Sequence, residues 1–271
     1  MQDLKKESGL SVILKDDFKL DLDIKLLGGE FSGRTIRDMA GVIKDKIIIN
    51  DAPLYYVYRD LREREDDQIV KKNHLRFDLT VILPKMLGEE FNKTLGHYHP
   101  IKDEIDISYP EVYEVISGRA LFLLQKHNKN NNEIIEEVYL VEARAGEKAI
   151  TPPNFGHITI NPLSVPLVMS NWVAAEFSSE YELYEKYRGG VYYIVKDDKD
   201  SGYKEIANEK YKKIPKLIKA QPKELPQFGL SFGKPMYKSG CQNIKKLRYL
   251  AEPENFIKEI VPEKIFDYAK N

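Results

Sequence analysis

Nine short apolar segments lie between residues 46 and 195, and no strand–helix–strand rhythm runs through them. They are KIIIN (46–50), LYYVYRDL (54–61), LRFDLTVIL (75–83), EVYEVI (111–116), ALFLLQK (120–126), EEVYLVEA (136–143), HITIN (157–161), PLVMSNWVA (166–174) and VYYIV (191–195). Val, Ile, Tyr and Phe dominate them, and several alternate apolar with polar, which is the period of a half-buried strand. The breaks are turn chemistry: SGR at 117–119, HNKNNNE at 127–133, ARAGE at 143–147 and TPPNFG at 151–156. Short, closely spaced strands without βαβ alternation argue for an all-β sandwich or barrel.

The flanks differ from this middle. Residues 1–45 read as an N-terminal arm, with a strand at KLDLDIKLL (19–27) and a short helix around TIRDMAGVIKD (35–45). Residues 46–195 form the strand-rich domain. Beyond about residue 196 the chain turns Lys- and Pro-rich, as in KYKKIPKLIKAQPKELPQFGL. That segment, 196–271, reads as an extended, partly ordered arm laid over the domain, ending in a helix at PENFIKEIVPEKIFDYAK interrupted by Pro262. Too few apolar residues lie there to close a second core.

Composition narrows the partners. Forty-two basic against 43 acidic residues give a net charge of -1, so no field draws the chain to nucleic acid or to an anionic membrane. No segment has the ~18 continuous apolar residues that a membrane-spanning helix needs. The start, MQDLKKESGL, lacks the apolar run of a signal peptide, and a cytoplasmic location is expected. Cys241 is the one cysteine, which excludes an intramolecular disulfide and a Cys-rich zinc site.

Histidine is scarce, yet two of the five histidines stand together in TLGHYHP (94–100). On an extended chain residues i and i+2 share a face, so His97 and His99 project side by side while Tyr98 points away. Imidazoles that close can share a divalent metal, or can sit as two ordinary polar residues on a solvated strand. Downstream, Glu111 precedes six residues and then Gly118. Further on, Gly146 precedes five residues and then Pro152, followed by His157 and, four beyond it, Asn161. His157 opens a strand after a Pro-rich turn, where a loop can present a ligand. Glu104, inside IKDEIDISY (101–109), is a rival carboxylate to Glu111. His74 and His127 sit in polar surroundings and read as surface residues.

These two blocks resemble the paired motifs of the cupin superfamily, with Asn154 where the second motif usually has Gly and a longer gap than usual between His99 and Glu111. The resemblance implies a double-stranded β-helix, a small jelly-roll barrel with a pocket inside. Over residues 50–195 the words TLGHYHP, PEVYEVISG and PPNFGHITIN are similar to the cupin-type glucose-6-phosphate isomerase family. That family implies His97, His99, Glu111 and His157 as metal ligands. It places Thr80, Thr94 and Gly96 at the substrate phosphate, Tyr109 and Tyr113 beside the sugar or supporting the ligand, and Tyr181 as a closing tyrosine. Val173 stands where archaeal members carry a pocket tyrosine, and Ser179 where they can carry a histidine.

The implied activity interconverts glucose 6-phosphate and fructose 6-phosphate with one divalent ion per chain. Fe2+ is the first expectation, and Mn2+, Ni2+ and Zn2+ suit the same donors. Glu111 is the candidate base that carries a proton between C2 and C1. A metal-bound carboxylate is a weak base, so the alternative is a hydride shift in which Glu111 only tunes the ion. Three rivals stand beside this: an isomerase of another phosphosugar such as mannose 6-phosphate, a metal cupin dioxygenase, and a sugar-binding cupin without turnover. Cupin enzymes commonly pair through sheet faces and arms, so the resemblance implies a homodimer in which one terminal arm crosses to the partner.

Overall fold

Alternating Val, Ile, Tyr and Phe give each strand one face to bury, and the computed structural model, which describes residues 1–102, 105–197 and 202–268, assembles such strands into two principal sheets. In chain order they are β1 (Glu30–Thr35), β2 (Pro53–Arg59), β3 (Leu75–Ile82), β4 (Glu111–Ser117), β5 (Arg119–Asn128), β6 (Asn131–Arg144), β7 (Lys148–Thr151), β8 (Gly156–Ile160), β9 (Leu167–Ala174), β10 (Ile218–Pro222) and β11 (Phe266–Tyr268). The first sheet runs β7-β4-β9-β3-β2-β1 and the second runs β8-β5-β6-β10-β11. From β4 to β9 the chain passes repeatedly between them, and both contribute to one apolar core. This is the double-stranded β-helix of the cupins.

The sheets recruit strands from beyond 46–195. β1 comes from the N-terminal segment, pairing Arg34 with Tyr55. β10 and β11 come from the C-terminal segment, and β10 runs parallel to β6. KIIIN is not a strand: Ile48 is 84% exposed, and the carbonyls of Asn50 and Ala52 instead accept from Arg37 and Ile36 N–H groups. An apolar run without alternation has no face to commit to a sheet. KLDLDIKLL splits into Leu20–Leu22 and Leu26–Leu27, and the helix near residue 35 is Ile36–Met39, capped by Thr35 and Asp38.

The C-terminal segment is more folded than an extended arm. Met236–Gln242 is a helix, and Met236, Tyr237, Leu247, Tyr249 and Leu250 are buried. Tyr237 lies parallel to Trp172 with ring centroids 5.9 Å apart and edge-on to Phe77 at 5.0 Å. Met236 N–H donates to Glu114 Oε2 at 2.7 Å, and Trp172 Nε1 donates to the Met236 carbonyl at 3.3 Å. The predicted terminal helix is short, Pro262–Ile265, and passes into β11. Phe77, Glu114 and Trp172 lie on the face of the first sheet opposite the pocket, so this segment roofs that face.

Candidate metal centre

β4, β9, β3 and β2 lie side by side, and their register lines the inward side chains into rungs. One rung is Glu111–Val173–Arg76, the next is Tyr113–Asn171–Asp78, and a third is Met169–Thr80–Val57. Together they form the floor of a cavity of about 330 Å³. Residues 94–99 close one side. Thr94 N–H bonds the Thr159 carbonyl at 2.9 Å, and His97 and His157 exchange backbone hydrogen bonds of 3.2 and 3.0 Å. The HxH segment is thus extended and bridged to β8 without being a full strand.

That bridge brings the ligands together. His97 Nε2 lies 3.1 Å from His99 Nε2. His99 Nδ1 lies 2.9 Å from the Tyr109 carbonyl; a carbonyl only accepts, so Nδ1 carries the proton and Nε2 keeps its lone pair. Glu111 Oε2 is 3.4 Å from His99 Nε2 and 3.2 Å from His157 Nε2. Tyr113 Oη donates to Glu111 Oε2 at 2.8 Å and sits 2.9 Å from His157 Nε2. Ligand atoms of His97, His99, Glu111 and His157 all fall within 4.8 Å of one another.

The electrostatics suit a cation. Burial, then the neighbouring His157 and His99, push His97 well below the ordinary imidazole value. Burial also lowers His157, with Glu111 pulling it back. For Glu111 burial works upward, but hydrogen bonds from His157 and His99 outweigh it and hold the carboxyl well down. Imidazoles around an ionised carboxylate, with His97 and His157 kept neutral by burial, match the donor set of a divalent first-row metal. Among the described residues His157 Nδ1 is buried without a partner, so the protein orients this imidazole only through Nε2, beside Tyr113 Oη and Glu111.

A pH prediction follows. Below about pH 6.5 the unfolded chain protonates histidines that the metal-free fold keeps neutral, so stability falls as pH falls. Glu111 acts in the same sense once pH drops below its ordinary 4.5. The Tm of metal-stripped protein should therefore decline from about pH 7 to about pH 5. A profile that rises toward acid would contradict the neutral-imidazole assignment.

Thr80, Thr94, Gly96, Tyr113 and Tyr181 line the cavity together with His97, His99 and Glu111, as do Val173 and Ser179. The Tyr181 ring stands 5.6 Å from that of His97. Tyr109 is placed differently: its carbonyl orients His99, and its ring stacks on Phe177 at 4.9 Å, outside the cavity lining. Glu104 lies outside the described residues. Its neighbour Asp106 pairs with Lys129 on the surface. Sequence reasoning missed Tyr55, Arg59, Arg76, Asp78 and Asn171, which also line the cavity. The signal was present: Asp78 and Arg76 are two and four residues before Thr80 on one strand, and so share its face.

Gly96 is sterically required. Its φ is +86°, and a Cβ there would sit 2.6 Å from Ile158 Cγ1 and 2.9 Å from Tyr184 Cδ1. Gly96→Ala should destabilise by about 1–3 kcal/mol and weaken metal binding by displacing His97. Denaturant unfolding and metal titration read the two effects separately.

The glucose-6-phosphate isomerase family model matches residues 33–212. A glucose-6-phosphate isomerase of Sinorhizobium medicae is 28% identical over 187 residues, covering 66% of this chain and 78% of that protein. One of Thermococcus gammatolerans is 29% identical over 170 residues, covering 60% and 80%. Among solved structures, oxalate decarboxylase from Bacillus subtilis overlaps at 15% identity with a TM-score of 0.33, over 52% of this chain and 30% of that one.

Proposed function

The chain belongs to the glucose-6-phosphate isomerase family, and from that premise we propose a metal-dependent isomerase that interconverts glucose 6-phosphate and fructose 6-phosphate in this cavity. The observation that carries the reading is the convergence of His97, His99, Glu111 and His157, three of which line a polar pocket while His157 is buried behind them. A bound divalent ion, iron(II) by preference, would polarise the two adjacent oxygens of the open-chain sugar as a Lewis acid.

The protein groups then divide the work. Glu111 takes the C2 proton and returns it at C1, since one base reaches neighbouring carbons. Tyr113 bridges Glu111 and His157 and fixes the carboxylate. The phosphate sits against the Thr80 and Thr94 hydroxyls and the Gly96 backbone, where a glycine permits close approach. Tyr181 closes over the sugar beside His97. Tyr109 acts through its carbonyl on His99. A homodimer in the cytoplasm is the expected working form.

An oxygenase needs an apolar pocket, and the side chains of Arg59, Arg76, Asp78, Thr80 and Asn171 disfavour it. Mannose 6-phosphate stays a second reading because Val173, directly beside Glu111 in the rung, leaves space where a larger side chain would police C2. The test is a coupled assay on metal-stripped protein with Fe2+, Mn2+, Ni2+ or Zn2+ restored. Glucose 6-phosphate and mannose 6-phosphate are compared. Metal-restored fructose 6-phosphate formation from glucose 6-phosphate is expected. Stoichiometric metal binding without turnover of glucose 6-phosphate would end the assignment.

A further inference from the structure

The cavity floor holds a charged group that the phosphate site does not use. Arg76 Nε donates to both carboxylate oxygens of Asp78 at 3.0 Å. Asp78 is buried and is held in turn by the Asp60 N–H at 2.9 Å. This clamp engages only Nε. Among the described residues no hydrogen bond partner engages Arg76 Nη1 or Nη2, and the side chain is 26% exposed on the cavity wall. Arg59, bonded through Nη1 to Ser32 Oγ, adds a second guanidinium beside the same carboxylate. Two guanidiniums therefore flank one carboxylate on this part of the floor.

Its position decides what it faces. Arg76 shares a rung with Val173 and Glu111, so its Cα is about two strand spacings, roughly 10 Å, from that of Glu111. Val173 stands between the two in the rung, and the Arg76 charge is felt at His97. Thr80, at the phosphate end, lies four residues along β3 from Arg76, about 13 Å away. Arg76 is therefore at the reacting end of the cavity.

We propose that Arg76, held in place by Asp78, is a catalytic residue that donates hydrogen bonds to the negative charge developing on the sugar's O1 and O2. This rests on the isomerase reading above. The C2–H electron pair becomes the C1=C2 bond as the proton passes to Glu111, and charge collects on O1. The O2 hydroxyl proton moves to O1, the first proton returns to C1, and C2=O2 remains, so no oxidant or reductant enters. Arg76 keeps its own protons throughout. Fixed donors aimed at developing charge are the largest usual source of rate enhancement. Asp78 is a positioning residue, since it aims the guanidinium.

The test compares wild type, Arg76→Gln and Arg76→Lys as metal-loaded protein with two ligands. 6-Phosphogluconate carries a carboxylate where the charge develops. Glucitol 6-phosphate keeps the phosphate and hydroxyls without that charge. Arg76→Gln should weaken 6-phosphogluconate about 10- to 100-fold and glucitol 6-phosphate less than about 3-fold. It should lower kcat about 10²-fold with KM little changed, and Arg76→Lys should recover part of both losses. Equal loss of both ligands would make Arg76 a phosphate anchor and overturn the proposal, as would no loss of either. A wild type that turns over no phosphosugar overturns the isomerase reading and this one with it. An active wild type with unselective loss overturns this one alone.

Discussion

His157→Ala protein is expected to stay folded, to bind metal at least about 10³-fold more weakly, and to lose measurable isomerase activity. Removing groups that merely orient a ligand costs about 10–100-fold in metal affinity, and His157 is itself a proposed donor. Its Nε2 lies 3.2 Å from Glu111 Oε2 and 2.9 Å from Tyr113 Oη, so alanine also frees the carboxylate proposed as base. Backbone hydrogen bonds join residue 157 to His97, and these survive the substitution, which keeps the fold. Metal content by mass spectrometry and the coupled assay read the result. Full activity in His157→Ala would remove the metal centre from the mechanism.

Glu111→Gln separates the two routes for hydrogen. The amide keeps the shape of the side chain and loses the base. If Glu111 carries the proton, a C2 deuterium label should wash into water in wild type, and turnover should collapse in the variant even at saturating metal. If the hydrogen moves directly, the label stays on the product, and the variant keeps a fraction of its rate.

Much of this could be read from the residues alone, and the failures share one cause. The strand run of the middle was legible because side-chain alternation is local. The histidine pair was legible because i and i+2 share a face whatever the fold around them. Arg76 and Asp78 were not legible as pocket residues, since charges on a strand normally mark the solvent face. Only a barrel with a polar interior turns them inward. β1 was missed because Ser32 and Gly33 weaken its strand signal. The helix Met236–Gln242 was missed because Ser239 and Gly240 are poor helix formers, and tertiary packing overrides them. A Cβ at Gly240 would lie 2.9 Å from Trp172 Nε1, so that glycine serves a close contact that local propensity does not reveal.

That contact gives the C-terminal segment a role that charge and proline content concealed. Tyr237→Ala should destabilise the protein by about 3–5 kcal/mol, the range for a large aromatic lost from a packed core. Tyr237 is fully buried, stacks on Trp172, and donates through its hydroxyl to Asp66 Oδ2 at 2.7 Å. Trp172 is the one tryptophan in the chain, so its fluorescence reports directly on this seam. Beneath it lies the buried pair of Lys148 and Glu114, 2.8 Å apart, with Met236 N–H completing the carboxylate. Glu114→Ala leaves Lys148 as an uncompensated charge with no exposed surface, and should cost about 3–5 kcal/mol. The double variant Glu114→Leu, Lys148→Met should recover most of that, short of the ~1–3 kcal/mol left by an unpaired Met236 N–H. Glu114 and Trp172 lie on strands whose opposite faces build the pocket: Glu114 follows Tyr113 on β4, and Trp172 sits between Asn171 and Val173 on β9. Loosening the seam should therefore loosen the rungs, with metal affinity falling alongside stability in Tyr237→Ala. If denaturation shows the expected loss while metal affinity at low denaturant stays unchanged, the roof stabilises the sheet without tuning the site.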